Sequence, residues 1–586
     1  MGRTKGILNN GQAKREPLRT EDELILCCAR AHLHALAAER IPALLQQDLD
    51  WSLLISTAVD QHIDPLVYSQ LRTYPRGAVP VDWMEFLQNF SRNTVVNNLN
   101  LTGHLIQILE LFQSKGILGI PYKGPVLAAL AYGNLGLRRF MDLDLLVRQA
   151  DLAGAAELLV SQGYSAQKAE GFSATKRGDR IPGQYLFRSE LDECLVELHT
   201  ERTLRYFPRP IDFNELEKRL VPVSLGGKPV LTLSLEDLLC FVSVHGTKHM
   251  WDRLQWVFDV AMLAQIPREE EWPRIEERAK EMQCLRMVHL GLYLAKDFFD
   301  APLPEELWLS LKADRSILRM GDAVRMRRFR GARKMPGIVE RAAFRVRSIE
   351  SRWAGLRYCM KMAFRPTEDD WRFVAVPKTL GMAYPLLRPF FLLRKYGLGL
   401  REKAPIDLAP FVPTPQTILE RMIDMAEIRN EDVLYDLGCG DGRIVVAAAK
   451  RYGIHCVGVD VDPERIREAK ANARRAGVKH LVRFVQQDAK TLDLSEATVV
   501  TMWLTDLGVA KLKEKLKSEL RPGARIVSRD FRMLGWEPER TEALPAYKNR
   551  NTRIMLWRIP EVTPSALDES ELEDAEQVSN TPVSRK

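Results

Sequence analysis

The spacing of hydrophobic positions changes twice in the first two thirds of the chain. From residue 21 to about residue 118, apolar side chains recur every three or four positions, as in "DELILCCARAHLHALAAERI", which predicts amphipathic helices. Strands are then predicted at "GIPYKG", "RFMDLDLLV", "GQYLFRS" and "CLVELHTE", with helices at "PVLAALAYGN" and "ADLAGAAELLVSQGY". Helical spacing returns from residue 236 to about residue 398. We therefore predict a small α+β unit with helical flanks.

A further change occurs near residue 399, where "GLGLREKAPIDLAPFVPTPQ" is rich in proline and glycine and predicts a linker. Beyond it, strand patterns such as "DVLYDLG" and "HCVGVDVD" alternate with helix patterns such as "RIVVAAAKRYG". That alternation predicts a doubly wound, Rossmann-like parallel sheet, and hence an α/β multidomain protein. The predicted parts are a flexible arm at 1–20, a first domain at 21–398, a linker at 399–409, a second domain at 410–560 and a disordered acidic tail at 561–586.

Composition and charge narrow the class only a little. The chain has 586 residues, of which 46% are hydrophobic, and its formal charge of +8 does not by itself indicate a nucleic-acid partner. The eight cysteines are scattered without a C-x-x-C pair, so neither a zinc site nor a disulfide framework is predicted. No signal-peptide pattern and no long apolar run occurs, so we expect a cytoplasmic protein without a transmembrane segment.

The most specific chemical pattern is "VLYDLGCGDGRIVVAAA", which predicts a strand, a glycine-rich turn and a helix. Gly438, Gly440 and Gly442 let the backbone turn sharply and approach a ligand closely. The spacing is G-x-G-x-G, whereas a loop that binds a dinucleotide pyrophosphate has G-x-G-x-x-G. A dehydrogenase with a Rossmann fold remains an alternative.

Acidic residues end the three successive strands around this turn. Asp436 is placed to accept a hydrogen bond from an ammonium, Asp460 from ribose hydroxyls and Asp488 from an adenine amino group. Three carboxylates at neighbouring strand ends suit a cationic nucleoside better than a pyrophosphate.

From about Pro410 to Ile559, these motifs resemble the class I S-adenosylmethionine-dependent methyltransferases in type and order. The resemblance implies that S-adenosyl-L-methionine is the cofactor. It implies cofactor contacts from Asp436, Gly438, Gly440, Asp460 and Asp488, and from the preceding segment with Phe411, Pro413 and Thr414.

The segment "PFVPTPQTILERMIDMAEIRNEDVLYDLGCGDGRIVVAAAKRYG" looks like the small group that includes the mitochondrial protein-lysine methyltransferases. After the fourth strand the chain has "TMWL" where methyltransferases of nucleobase or glutamine amino groups carry an Asn/Asp-Pro-Pro-Tyr motif. The methyl acceptor stays unknown, and protein lysine is the best analogy. Trp503 either walls an acceptor channel or belongs to the core, and the sequence leaves both open.

Two aspartates one residue apart interrupt the apolar run "RRFMDLDLLV". On a strand, Asp142 and Asp144 project from one face, whereas Leu143 and Leu145 face the other way. Two adjacent carboxylates repel each other, so a cation is expected between them, and Mg²⁺ is the natural candidate for oxygen ligands. Such an arrangement serves nucleotidyl transfer, in which metals bridge phosphates.

The stretch "PYKGPVLAALAYGNLGLRRFMDLDLLV" resembles the polymerase-β-type nucleotidyltransferase superfamily. Further similarity, over roughly residues 22 to 398, is to a family of bacterial uncharacterised nucleotidyltransferases. The resemblance implies catalytic, metal-binding carboxylates at Asp142, Asp144 and Glu197. It also implies nucleoside triphosphate contacts from the turn and the segment before the aspartates, namely Lys123, Gly124 and Arg139.

Two positions depart from that superfamily. Pro125 stands where a glycine or serine is frequent, and the third acid is glutamate rather than aspartate. The segment "HGTKHMWDRLQWVFDV" contributes His245, Lys248, Arg253 and Asp259, which either shape a nucleotide or acceptor pocket or supply salt bridges between helices.

The leading hypothesis is a bifunctional enzyme, a methyltransferase fused to a metal-dependent nucleotidyltransferase-like domain. One alternative makes the first domain a non-catalytic adaptor that binds a nucleotide or the methyl acceptor. Another makes the protein a nucleic-acid modifier that uses the stretch 315–347. That stretch contains eleven Lys or Arg residues and only two acidic residues. A solvated helix face paired from elsewhere explains the same charges, and no nucleic-acid-binding fold signature accompanies them.

Overall fold

The computed structural model divides the chain into two compact units, residues 1–403 and 404–586. The predicted linker, the acidic tail, nearly all of the predicted arm, Phe411 and Pro413 lie outside the residues that the structure describes. Those described residues are 17–30, 32–166, 185–189, 192, 194–201, 204, 207–329, 336–364, 387–390, 392–393, 414–533, 535–547 and 550–560.

The first unit begins with helices whose apolar stripes face inward, as the three-and-four spacing predicts. The fifth of them is 33 residues long and buries Leu101, Leu105 and Phe112. Helix α1 already includes Thr20, so the predicted arm extends one residue too far. The helices before the first strand are α1 (Thr20–Arg30), α2 (Ile41–Leu45), α3 (Trp51–Asp60), α4 (Asp64–Leu71) and α5 (Val81–Gln113).

A five-stranded sheet follows, in the order β1-β2-β5-β4-β3. Its central strands β2 and β5 are parallel neighbours, and the other pairs are antiparallel. Helix α6 is continued by a π-type turn at Ala128–Tyr132. The elements are β1 (Ile120–Pro121), α6 (Gly124–Leu127), β2 (Asp142–Leu146), α7 (Leu152–Ser161), β3 (Tyr164–Ala166), β4 (Tyr185–Ser189) and β5 (Leu195–His199).

One face of this sheet is apolar and packs on α5 and α7. Leu143, Leu145, Val196 and Leu198 belong to that core. Because side chains alternate along a strand, the intervening polar residues of β2 and β5 point to the opposite face.

The remainder of the first unit is mostly helical. A two-stranded hairpin of β6 and β7, which the hydrophobic pattern did not predict, lies between helices α8 and α9. The elements are α8 (Phe213–Glu217), β6 (Val221–Leu225), β7 (Lys228–Thr232), α9 (Leu235–Lys248), α10 (Leu254–Leu263), α11 (Trp272–Glu281), α12 (Leu285–Phe299), α13 (Glu305–Ala313), α14 (Arg315–Phe329), α15 (Ile338–Arg347) and α16 (Arg352–Phe364).

The second unit contains a seven-stranded sheet in the order β10-β9-β8-β11-β12-β14-β13. Five strands are parallel, as predicted, but β14 and β13 are antiparallel, so the sheet is mixed rather than wholly parallel. The elements are α17 (Gln416–Met425), β8 (Val433–Leu437), α18 (Arg443–Tyr452), β9 (His455–Asp460), α19 (Pro463–Arg475), β10 (Val482–Gln486), β11 (Val499–Met502), α20 (Asp506–Glu519), β12 (Arg525–Arg529), β13 (Arg540–Tyr547) and β14 (Arg550–Arg558).

Strand order fixes where a ligand of the second unit lies. Strand β8 is flanked by β9 on one side and β11 on the other. Strands β9 and β10 are therefore added on one side of β8 and the later strands on its other side, so the strand order switches at β8. Ligands of such sheets bind at that switch point, outside the carboxyl ends of the strands. Across the described residues, no helix combines the length and the apolar character needed to cross a membrane.

Candidate functional site

Acidic groups of the first unit meet on the polar face of the central strand pair. Asp144 on β2 lies directly beside Glu197 on β5, and His199 lies two residues further along β5. Asp142, Asp144, Glu197 and His199 all line one cavity of about 580 Å³. The structure therefore brings the three predicted carboxylates together and adds an imidazole.

Asp144 is the centre of a short network. Its Oδ1 lies 2.9 Å from His199 Nε2, and its Oδ2 lies 3.4 Å from Lys123 Nζ. The same imidazole nitrogen is 3.5 Å from Glu197 Oε1. Lys123 Nζ is also 3.2 Å from His245 Nδ1, so one ammonium lies between the acidic cluster and helix α9.

The aspartates have opposite pKa shifts. Burial raises the pKa of Asp142 to about 6, and the negative charges of Asp144 and Glu197 add to the effect. Burial acts in the same direction on Asp144, but Lys123 and His199 outweigh it and hold the pKa of Asp144 below its usual range. The site thus keeps Asp144 ionised through the Lys123 ammonium and the hydrogen bond with His199, whereas Asp142 lacks comparable compensation.

Basic and aromatic groups line the other side of this cavity. His245 meets Trp256 edge to face and His249 meets it at a tilt, with ring centroids 5.1 Å apart in both pairs. The guanidinium of Arg253 lies 5.3 Å from the Trp256 centroid, and Lys248 also lines the wall. Burial lowers the pKa of His249 to about 3 and that of His245 well below its usual value, so both are neutral at pH 7.

The arginines before β2 have different surroundings. Arg138 is buried and donates two hydrogen bonds to Asp259, of 2.7 and 2.9 Å, so Asp259 serves helix packing. Arg139 lines the cavity, but its guanidinium lies over the Phe90 ring and 3.8 Å from Asp64 Oδ1.

Gly124 lines the cavity at the start of α6. It has a φ of +56°, and an added Cβ would lie 3.4 Å from the Asp142 carbonyl oxygen. That distance is an ordinary van der Waals contact, so the left-handed backbone conformation is what favours glycine here.

Three arginines of the basic stretch 315–347 form ion pairs inside the first unit. Arg325 pairs with Asp297, Arg327 with Glu340 and Arg328 with Asp252. Pairing within the fold therefore accounts for the charges of these three arginines.

In the second unit, the glycine-rich turn connects β8 to α18. Gly438, Gly440 and Gly442 all have positive φ angles, of +84°, +53° and +75°. An added Cβ at Gly442 would lie 2.7 Å from Phe484. A side chain is thus disfavoured there by both the backbone conformation and the close packing.

The three predicted acids surround this turn. Asp460 ends β9, and its Oδ2 accepts a hydrogen bond of 2.9 Å from the Gly440 N–H. Asp488 follows β10, accepts a hydrogen bond of 2.9 Å from the Lys490 N–H and pairs with the Lys490 ammonium at 3.5 Å. These contacts orient both carboxylates.

Asp436 is 3% exposed, and Thr501 donates a 2.9 Å hydrogen bond to its Oδ1. Burial raises the pKa of Asp436 to about 7, and the charges of Asp460 and Asp441 add to the effect. No cation contacts this carboxylate among the described residues. The chemistry of the site therefore fits a cationic ligand group beside Asp436, such as the ammonium of S-adenosylmethionine.

Thr414 lies just before α17 and is buried. Its carbonyl oxygen accepts a 2.7 Å hydrogen bond from Arg443 Nη1, and the same guanidinium makes two hydrogen bonds to Asp441 in the glycine-rich turn. The segment before the first strand is thereby attached to the turn, a link that sequence reasoning missed.

Trp503 follows β11 and is half-buried. The guanidinium of Arg529 lies 3.7 Å from its ring centroid. One face of the indole is therefore already covered by a cation.

His199 is the main residue of the first site that sequence reasoning missed. The signal was present in "LVELHTER", because residues i and i+2 of a strand share a face and Glu197 was already a candidate ligand. The aromatic wall at His249 and Trp256 was missed as well, since nothing in the sequence indicates which face of α9 and α10 meets the sheet.

Comparisons with known proteins give one family match in each of the two units of the chain. Residues 47–300 match the family described as uncharacterised nucleotidyltransferase, and residues 436–540 match the ANTKMT methyltransferase domain. A protein-lysine N-methyltransferase of Saccharolobus islandicus (strain REY15A) is 47% identical over 131 residues, which cover 22% of this chain and 81% of that protein. A lysine N-methyltransferase of Xenopus laevis, named for a component of ATP synthase, is 31% identical over 180 residues, covering 30% and 74%.

One solved structure is an RNA methyltransferase from Salinibacter ruber in complex with S-adenosyl-L-homocysteine. It is 44% identical, and the match covers 27% of this chain and 99% of that one, with a TM-score of 0.25. The sheet, the glycine-rich turn and the sequence relatives all indicate that the second unit is a methyltransferase. Through its C-terminal unit the chain therefore belongs to the S-adenosylmethionine-dependent methyltransferases, with a match to the ANTKMT methyltransferase domain, and its N-terminal unit is similar to the uncharacterised nucleotidyltransferase family.

Proposed function

We propose that the C-terminal unit methylates the side-chain amine of a protein lysine. The observation that carries this proposal is the 47% identity to a protein-lysine N-methyltransferase over 81% of that relative. The relative from Xenopus laevis is also named as a lysine methyltransferase. The absence of an Asn/Asp-Pro-Pro-Tyr motif after β11 supports the same substrate class.

The bound cofactor supplies an activated methyl group on a sulfonium. The residues of the chain hold it: Asp436 accepts from the ammonium, Asp460 from the ribose hydroxyls and Asp488 from the adenine amino group. The glycine-rich turn allows close approach at Gly438 and Gly440, and Thr414 contributes to the cover. Holding the methyl donor and an amine in line supplies most of the acceleration for such a transfer.

The test incubates the full chain with S-adenosylmethionine labelled in its methyl group and a cell lysate, followed by acid hydrolysis. Methyl-lysine in the hydrolysate is the expected product, and Asp436→Asn is expected to abolish it. Labelled RNA without labelled protein would contradict the lysine assignment. Calorimetry that shows no cofactor binding to a folded chain would contradict methyl transfer altogether.

A second proposed function is metal-dependent nucleotidyl transfer by the N-terminal domain. The observation that favours it is one cavity of about 580 Å³ whose lining combines carboxylates with basic and aromatic groups. Buried Glu197 Oε1 has no hydrogen-bond partner among the described residues, so the donor set fits a cation. In this proposal Asp142, Asp144 and Glu197 hold a divalent ion that activates the attacking hydroxyl.

The basic wall has the opposite role in this proposal. Lys123, Lys248 and Arg253 are positioned around the cavity to neutralise phosphates, and Trp256 offers an aromatic surface. The neutral His245 adds no charge, but its Nδ1 can accept a hydrogen bond from the Lys123 ammonium and so positions that ammonium.

The double variant Asp142→Asn plus Asp144→Asn tests this second function. We expect it to lose metal-dependent ATP binding and transfer of label from α-labelled ATP to an acceptor in the lysate. Asp436→Asn serves as the matched control, because it removes a carboxylate from the other unit and should leave ATP binding intact. Binding without transfer in the unaltered chain would favour the adaptor hypothesis, and unchanged binding in the double variant would contradict the metal site.

A further inference from the structure

Three ligand atoms of different chemistry converge in the acidic cluster. One oxygen of Asp144, one of Glu197 and a ring nitrogen of His199 all lie within 4.8 Å of one another. We propose that His199 coordinates the divalent ion of this site through Nε2, together with Asp144 and Glu197, and that the site therefore selects a first-row transition ion over Mg²⁺. This inference rests on the proposed metal site of the N-terminal domain, and it replaces the expectation of Mg²⁺ drawn from the sequence.

The separations of these atoms match those of ligands that share one ion. His199 Nε2 lies 2.9 Å from Asp144 Oδ1 and 3.5 Å from Glu197 Oε1. Two ligands held at about 2.1 Å from an ion and at right angles to each other are about 3.0 Å apart. The side chains therefore need little rearrangement to bind together.

Only one of the two short contacts is satisfied within the protein. Asp144 Oδ1 accepts a hydrogen bond from His199 when the ring proton is on Nε2. Glu197 Oε1 is buried without a hydrogen-bond partner among the described residues, and 3.5 Å from Nε2 is too long for a good hydrogen bond. A buried carboxylate oxygen left in this way favours a cation beside it.

The rest of the network leaves this position available. Lys123 contacts the other oxygen of Asp144, Oδ2, and its ammonium does not compete for Oδ1. His199 Nδ1 is buried, and no described group donates to it or accepts from it. The ring tautomer is therefore fixed only by what faces Nε2. When the ring proton is on Nδ1 instead, the imidazole stays neutral and Nε2 presents its lone pair to the ion.

Ligand type then decides which ion binds. Mg²⁺ prefers oxygen ligands and keeps its water, whereas an imidazole suits transition ions. A donor set that adds one imidazole to these carboxylates is consequently expected to bind Mn²⁺ at least tenfold more tightly than Mg²⁺, and Co²⁺ more tightly still.

The experiment titrates the full chain with Mn²⁺ and follows the free ion by electron paramagnetic resonance, with Mg²⁺ as competitor. Electron spin-echo measurements on the bound Mn²⁺ report directly whether a nitrogen is coordinated. We expect ¹⁴N modulation in the unaltered chain. His199→Gln should lose that modulation and bind Mn²⁺ at least tenfold more weakly, while Mg²⁺ affinity changes less than threefold.

His289→Gln is the matched control, because His289 Nε2 also lies close to a carboxylate, 2.7 Å from Glu276 Oε1, outside the cavity. It should retain both the ¹⁴N modulation and the Mn²⁺ affinity.

Bound Mn²⁺ without ¹⁴N modulation in the unaltered chain overturns the role of His199 and leaves the carboxylate metal site standing. The spectrum of the unaltered chain decides this even where His199→Gln fails to fold. A folded chain that binds neither Mn²⁺ nor Mg²⁺ overturns the metal site and this inference together. Methyl transfer by the other unit is unaffected by either result.

Discussion

Replacing Asp436 by asparagine should stabilise the C-terminal unit while it abolishes cofactor binding. The carboxyl is 3% exposed, and its pKa is raised by burial to about 7 from a usual value of 3.8. A difference of roughly three pKa units, at about 1.4 kcal/mol for each unit, amounts to about 4 kcal/mol. Asparagine keeps an oxygen that can accept the hydrogen bond from Thr501, and it carries no charge.

The sign of the effect follows from proton binding. A carboxyl with a raised pKa in the folded state binds its proton more tightly there than in the unfolded chain. Its ionisation therefore destabilises the fold above the unfolded pKa, increasingly up to about pH 7 and by a constant amount beyond. Between pH 5 and pH 8, the advantage of Asp436→Asn over the unaltered chain should grow by about 2–3 kcal/mol.

Calorimetry of the full chain can isolate the relevant transition, because only the unfolding of the cofactor-binding unit should shift when S-adenosylmethionine is added. Asp436→Asn is expected to raise the temperature of that transition at pH 8, to raise it much less at pH 5, and to eliminate the shift with cofactor. A lowered temperature at both pH values, or a gain independent of pH, would refute the argument.

Asp432 provides a control of opposite sign near the start of the same strand. Burial acts to raise its pKa, but hydrogen bonds from Thr498 and the Arg429 N–H and the contact with Arg525 outweigh it and lower the pKa. Asp432→Asn should therefore destabilise the unit at neutral pH, and the loss should shrink only as the pH falls below 3.8, the usual pKa of an aspartate, toward the lower pKa of the folded state.

Three further predictions concern other features. The affinity for S-adenosylmethionine should fall as the pH drops below about 7, because Asp436 must lose its proton to accept from an ammonium; calorimetry in buffers of different ionisation enthalpy should detect the released proton. Gly442→Ala should cost about 1–3 kcal/mol more than Gly453→Ala, since both glycines have positive φ but only the first would bring a Cβ to 2.7 Å from another side chain; equal losses in thermal unfolding would contradict this. Arg138→Met should cost about 3–5 kcal/mol by leaving Asp259 buried without its cation, and adding Asp259→Leu should recover part of that loss in the same measurement.

Sequence periodicity predicted much of the fold, because the spacing of apolar residues reflects which side of an element is buried. The strands around Asp142 and Asp436 and the alternation of the second unit were predicted in this way. The hairpin of β13 and β14 was not predicted. Pro545 argues against a strand in sequence, yet β13 is the outermost strand of its sheet, where a missing N–H is tolerated.

The chemistry was less predictable wherever it depends on distant pairing. The adjacency of β2 and β5, which places His199 beside Asp144, follows from strand order and not from any local pattern. Likewise, the partner of Arg138 is 121 residues away, and the sequence gives no reason for Arg138 rather than Arg139 to take the buried position. Local patterns specify faces, whereas tertiary packing specifies partners.

The guanidinium of Arg443 has a consequence for the rate at which cofactor is exchanged. It hydrogen-bonds Asp441 in the glycine-rich turn and the carbonyl oxygen of Thr414. One side chain therefore joins the turn to a residue of the proposed cofactor cover. In the proposed cofactor site, we expect displacement of Thr414 to require that this hydrogen bond to a charged donor breaks, and hence to slow the departure of S-adenosylhomocysteine. We expect this step to lengthen the residence time of the product, so that turnover would be governed by release rather than by methyl transfer.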